Sequence, residues 1–199
     1  MRRLLWVVVA LWPLLAAQTF AGKPYSAEQV VSTPGGPEMV SRIFVGGEDR
    51  WRVETGGQPQ ATIVRLDRKV MYTLLPEAKM YYEMPMSEGE ASPAYGPSPQ
   101  GKVVRKLLGK EAVDGHPTSK YRVTVTSAAQ KPTVFYEWLS QELGVPLRME
   151  AADKSWSMEY RKVKIGLQDP KLFEVPAGFR RLSVPNVPQM PAAKATKPY

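Results

Sequence analysis

The side chains able to do chemistry are few, and each sits where a plainer role accounts for it. The only histidine, His116, lies in "VDGHPTSK" between a glycine and a proline. A histidine so placed is far more often part of a hairpin connection than a base or a ligand. Any Ser-His-Asp arrangement would have to use it, and no Gly-x-Ser-x-Gly elbow occurs. With Cys 0 there is no thiolate nucleophile, disulfide or zinc–thiolate site, and a transition-metal site is not expected. The carboxylates Glu48, Asp49, Asp67, Glu77, Glu83, Asp153 and Glu159 fall at turns or alternate with apolar residues. A pair could serve acid–base chemistry on a glycan, but no spacing selects one. "GGPE", "VGGED" and "TGGQ" have glycine pairs without a phosphate-cradling motif and read as turns. The expectation is a protein that is not an enzyme and needs no cofactor.

Binding chemistry is better represented. "RKVMYTLLPEAKMYYEMP", residues 68–85, reads as two antiparallel strands around a turn at Pro76–Lys79. Alternation sends Val70, Tyr72 and Leu74 to one side of the first run, and Met71, Thr73 and Leu75 to the other. In the second run Met80, Tyr82 and Met84 oppose Tyr81 and Glu83. A sheet with one wet face alternates more cleanly than this, so something must cover the second face. Met39, Met71, Met80, Met84, Met149 and Met158 all fall at strand positions. Methionine is flexible and polarisable, suited to an irregular core or to a surface that accommodates varied apolar ligands. Tyr72, Leu74, Met80, Tyr82 and Met84 are therefore the candidate ligand-binding residues.

The elements that must position them follow from pattern. "YSAEQVVST", "EMVSRIFVGG", "RWRVETGG" and "ATIVRLD" are short strands divided by Gly/Pro turns, and in the third Trp51 and Val53 oppose Arg50, Arg52 and Glu54. "KEAV", the Asp114-Gly115 turn, "SKYRVTVTS", "PTVFYEWLS", "VPLRMEAA" and "SWSMEYRKVKIG" continue the series to about ten strands, an antiparallel meander. Between the halves, "GKVVRKLLGK" places Val103, Val104, Leu107 and Leu108 at i, i+1, i+4 and i+5, which predicts a short amphipathic helix lying on the sheet. "QDPKLF" predicts a single helical turn starting at Asp169 and Pro170. Residues 86–101, rich in Pro, Gly and Ser, predict a mobile surface loop, and residues 183–199 a disordered Pro-rich tail.

Residues 1–21 have the form of a cleavable signal peptide: Arg2 and Arg3, an apolar stretch from Leu4 to Leu15, and small residues up to Ala21. The expected product is periplasmic and carries no lipobox cysteine. No later segment is apolar enough over enough length to span a bilayer as a helix. The remaining residues, 22–182, are ample for one domain. Formal charge is +8, of which Arg2 and Arg3 supply two. Without a long Lys/Arg run or a nucleic-acid motif, this points away from nucleic acid and toward a soluble surface or contact with anionic envelope groups.

Three stretches carry a family resemblance: "RLDRKVMYTLLPEAKMYYEMP", "LLGKEAVDGHPTSKYRVTV" and "EWLSQELGVPLRMEAADKSWSMEYRKVKIGLQDPKLFEVPAGFRRL". Over residues 25–182 the chain resembles an uncharacterised family of exported bacterial domains related to the outer-membrane lipoprotein-sorting (LolA-like) carriers. The resemblance implies a mainly β (α+β) fold, a strongly curved antiparallel sheet forming an unclosed half-barrel, with one or two short helices on its concave side. It implies that the hollow holds a lipid or lipoprotein acyl chain; the chain is separately expected to be a monomer. Fold is weak evidence for function, so docking of an envelope protein partner through the apolar face stands beside lipid binding.

Overall fold

The computed structural model describes residues 22–57, 59–86, 101–127 and 130–182. The expected signal peptide (1–21), the tail (183–199) and all but the two ends of the 86–101 loop lie outside the described residues.

Among the described residues, turn residues divide the chain into twelve strands that form a single sheet. These are β1 (Tyr25–Ser32), β2 (Met39–Val45), β3 (Arg50–Thr55), β4 (Ala61–Arg65), β5 (Val70–Leu75) and β6 (Met80–Pro85), then β7 (Lys102–Val113), β8 (His116–Ser127), β9 (Gln130–Ser140), β10 (Pro146–Ala151), β11 (Ser157–Ile165) and β12 (Arg180–Arg181). The order across the sheet is β12-β6-β5-β4-β3-β2-β1-β11-β10-β9-β8-β7, so β1 joins two meanders through β11. Every pairing is antiparallel except β12 on β6. The sheet is curved and does not close, because β12 and β7 end it without meeting.

Register assigns each side chain to a face. Directly paired residues share one, so Met84, Met71, Val64, Trp51, Val45 and Tyr25 form one row across β6 to β1. Met39, Val31, Met158, Met149, Glu137 and Tyr121 form a second row on the same face, across β2 to β8. This face carries most of the main core, a cluster that includes Tyr25, Ile43, Trp51, Val64, Leu147 and Tyr160. The opposite face is mostly polar, with ion pairs such as Arg42–Glu54 at 2.8 Å, Arg148–Glu150 at 2.9 Å and Lys162–Glu28 at 2.8 Å. Trp51 and Val53 against Arg52 and Glu54 is thus the alternation that the sequence shows.

The helix expected over "GKVVRKLLGK" is not formed; those residues run into "KEAV" as the single strand β7. Asp114 and Gly115, with φ of 50° and 79°, make a two-residue turn of the type that matches strand twist, and β7 zips onto β8 from there. Pairing along twelve residues, with two adjacent β-branched valines, outweighs a helical period two turns long. A bulge between Leu107 and Gly109 absorbs the extra residue Leu108. Helical cover is therefore slighter than expected: among the described residues it comprises the 3-10 turns Leu66–Arg68 and Pro170–Phe173. The second is the turn expected at Asp169, whose side chain accepts from the Lys171 amide and caps it.

Candidate functional site: the methionine-lined face

The four-residue turn Pro76–Lys79 sets Leu75 opposite Met80, and every pairing in the β5–β6 hairpin follows from that. Tyr82 then faces Thr73, and Met84 faces Met71. Tyr72 and Leu74 pair with Glu83 and Tyr81 on the other side. The five candidate residues therefore do not line one surface. Met80, Tyr82 and Met84 share the apolar face; Tyr72 and Leu74 lie behind it.

Leu74 is covered by the chain itself, and Tyr72 packs against the same cover. Ala61, Ile63, Leu74 and Phe173 form a second buried cluster, with Phe44, Tyr72, Tyr81, Leu172, Val175 and Phe179 packed around it. Leu74 and Phe173 are each only 1% exposed. The C-terminal segment that supplies this cover is clasped by Arg65, on the same face of β4. Arg65 donates to Asp67 at 2.6 and 2.8 Å, to the Phe173 carbonyl at 3.2 Å and to Glu174. Arg68 grips Glu174 from the other side at 2.8 Å, and Arg52 donates to the Leu172 carbonyl at 3.3 Å. The hydrogen bond from Arg65 holds the Asp67 carboxyl below its usual range. Burial pushes Glu174 up, but hydrogen bonds from Arg68 and Arg65 outweigh it and leave that carboxyl low too. Gly46 sits under the Phe173 ring, where an added Cβ would meet a ring carbon at 2.7 Å. The segment finishes as β12, parallel to β6. Leu74 is a core residue in this arrangement and Tyr72 packs, partly buried, against that core, on the face opposite Met80, Tyr82 and Met84.

What remains on the apolar face is distinctive in composition. By register, Met39, Met71, Met80, Met84, Met149 and Met158 all point to it. Near the centre Met158 is 7% exposed, whereas at the margins Met84 is 38% and Met39 58% exposed. Tyr25 and Tyr160 pack in the interior with ring centroids 6.2 Å apart and planes tilted by 40°. Burial pushes both phenols up, so they stay neutral. Glu137 is the charged member, fully buried, with Arg105 of β7 donating to it at 2.6 Å. A buried carboxylate on an apolar face signals a polar demand that alternation in "VFYEWLS" does not reveal.

The polar face holds other features that sequence reasoning missed. Trp138 is sandwiched by Lys120 and Arg148, their charges 4.6 and 4.8 Å from its ring centroid, and its indole N–H donates to Glu111 at 2.6 Å. A hollow of about 490 Å³ opens beside Glu111 and Thr118, and another of about 560 Å³ beside Glu28, Arg42 and Glu54. His116 begins β8, paired with Val113 just past the turn, as expected of a hairpin residue. Asp67, Glu83 and Glu159 are all held in ion pairs. No group of three or more His, Asp or Glu side chains able to hold a metal occurs among the described residues.

A family model described as a domain of unknown function (DUF4412) matches residues 31–145, from the end of β1 to the β9–β10 connection. The chain belongs to that family. The match takes in both margins of the methionine face and all of β7 and β8. Among solved structures, the Pseudomonas aeruginosa MucA/MucB complex contains a chain with TM-score 0.51 and 16% identity. The match covers 78% of this chain and 56% of that one, so the chain spans little more than half of its length. A LolA superfamily protein, NE2245 from Nitrosomonas europaea, matches with TM-score 0.33 and 14% identity over 77% of this chain and 90% of that one. A putative outer membrane lipoprotein-sorting protein domain from Vibrio parahaemolyticus gives 0.35 and 11% over 75% and 89%. No curated protein matches. An uncharacterised domain family is what the three sequence stretches resemble, and the matching family model is of that kind.

Proposed function

We propose that the chain is a non-catalytic, periplasmic binding protein whose methionine-lined face takes up an apolar ligand, a lipid or lipoprotein acyl chain. The observation that carries the reading is register: Met39, Met71, Met80, Met84, Met149 and Met158 converge on one face, and its margins stay exposed. Flexible thioethers fit chains of varied length and bend, and burial against them contributes about 25 cal/mol per Å² of apolar surface. Met80, Tyr82 and Met84 at the β6 margin are the proposed contact residues, with Met71 beside them. The hollow beside Glu28, Arg42, Arg52 and Glu54 sets four charged groups around its wall, unlike the methionine face.

Native mass spectrometry with lipid extraction, on protein purified from the periplasm, tests this. Co-purifying lipid near one-to-one supports the reading, and protein free of lipid from several preparations rejects it. Tyr82→Asp with Met84→Asp is expected to abolish uptake of a fluorescent fatty acid while the far-ultraviolet spectrum is kept. Unchanged uptake would remove those positions from the site.

A second reading has a specific observation behind it. MucB, which shares the fold, is seen in complex with MucA. Docking of an envelope protein on the same apolar face would then replace lipid, and the double variant would lose that protein instead.

A further inference from the structure

We infer that the outer edge of β7 is a docking site for an acidic, extended peptide segment of a partner protein, added to the sheet as a further strand. This surface is separate from the methionine margin at β6: the two lie at opposite ends of the sheet.

The edge itself is the first observation. β7 runs twelve residues, Lys102–Val113, and among the described residues it pairs with β8 alone. A long strand ending a sheet offers a row of backbone N–H and C=O groups that another chain can satisfy. The other end is shorter and different in kind, the two-residue β12.

Side chains on the edge are the second. Val104 is 50%, Leu107 55% and Leu108 46% exposed. Strand edges that are merely guarded carry charges and bulges, and β7 has both in its lysines and the Leu107–Gly109 bulge. A guarded edge has no use for three exposed aliphatic side chains in a five-residue stretch. They are what a partner strand would bury.

Charge identifies the occupant. Lys106 stands directly opposite Arg122, and like charges so placed destabilise a strand pair. Neither makes an ion pair among the described residues, nor do Lys102 or Lys110. Lys102, Lys106 and Arg122 lie on one face, in register with Val104 between the two lysines. A carboxylate from an added strand would sit within reach of both Lys106 and Arg122, relieving the repulsion that folding leaves in place. The same charges argue against a second copy of this chain. Two β7 edges would set lysines against lysines, and the opposite end of the sheet presents Arg180 and Arg181. Anionic lipid would answer the charge, but it has no use for an unpaired backbone edge.

The test uses the full mature chain and a synthetic ten-residue peptide alternating Glu with Val, beside the same peptide N-methylated at alternate residues, a Lys–Val peptide, and vesicles of phosphatidylglycerol. The Glu–Val peptide is expected to bind and to slow amide exchange along β7, while the N-methylated and Lys–Val peptides bind at least about tenfold more weakly. Lys106→Glu, an exposed change, is expected to weaken the Glu–Val peptide by at least about tenfold. Met84→Asp is expected to leave it bound, which separates this site from the lipid reading. Equal binding of the N-methylated peptide, or vesicle binding without β7 protection, would show charge attraction alone and overturn the proposal. So would unchanged β7 exchange at saturating peptide.

Discussion

Arg65 shows how much one side chain decides. It is 4% exposed, and it links the strand β4 to the C-terminal cover through Asp67, Glu174 and the Phe173 carbonyl. Both carboxyls have folded pKa values below their ordinary ones. A depressed carboxylate contributes stability that is present above its unfolded pKa and lost as pH falls through the folded value. The clasp should therefore hold from neutrality down to the ordinary carboxylate range and loosen below it. Urea midpoints measured at neutral and acid pH check this, and Glu174→Gln should make the acid loss shallower. Phe173→Ala is expected to cost about 3–5 kcal/mol in urea unfolding, because the ring is fully packed and the site cannot collapse. The legible residues were those whose role is local, such as Asp169 as a cap or Asp114-Gly115 as a turn. Arg65 was not legible as a clasp, because Phe173 and Glu174 lie more than a hundred positions away.

At the scale of elements, the C-terminal segment and β7 carry the two departures from expectation. Leu172, Phe173, Val175 and Phe179 give no clean period in "KLFEVPAGF", so sequence offers a turn and no face. Their target is set by Gly46, whose bare Cα admits the Phe173 ring. Gly46→Ala should lift that ring and speed hydrogen exchange at the Arg180 and Leu182 amides, which donate to the Lys79 and Tyr81 carbonyls. The main core on the far face should keep its protection. In β7 the signal was present but ambiguous. Val103, Val104, Leu107 and Leu108 fit a helix by spacing, and a bulged strand fits the same four only once β8 is known to lie alongside. Long-range pairing decided between them.

For the whole molecule, one sheet builds two separate cores. The larger belongs mostly to the apolar face; the smaller forms where the chain folds back over β4 to β6. A chain ending at Gln168 lacks that second layer and leaves Ile63, Tyr72 and Leu74 uncovered. It is expected to bind an apolar dye such as ANS and to unfold at lower urea than the full chain. Dye binding equal to that of the full chain would mean the cover is dispensable.

The sequence by itself determined most of the strands apart from β7 and β12, the turns between them and the alternation of Trp51 and Val53 with Arg52 and Glu54, since each depends on residues close in the chain. It also held the resemblance to an uncharacterised domain family, borne by three stretches. Only the tertiary structure decided which apolar face is which. A strand's two faces differ by one residue of register, so the same tyrosines and methionines can line a core or a surface depending on the partner opposite. In the β5–β6 hairpin that choice, made by a four-residue turn and a distant phenylalanine, buried Leu74 with Tyr72 packed beside it and set Met80, Tyr82 and Met84 on the methionine face.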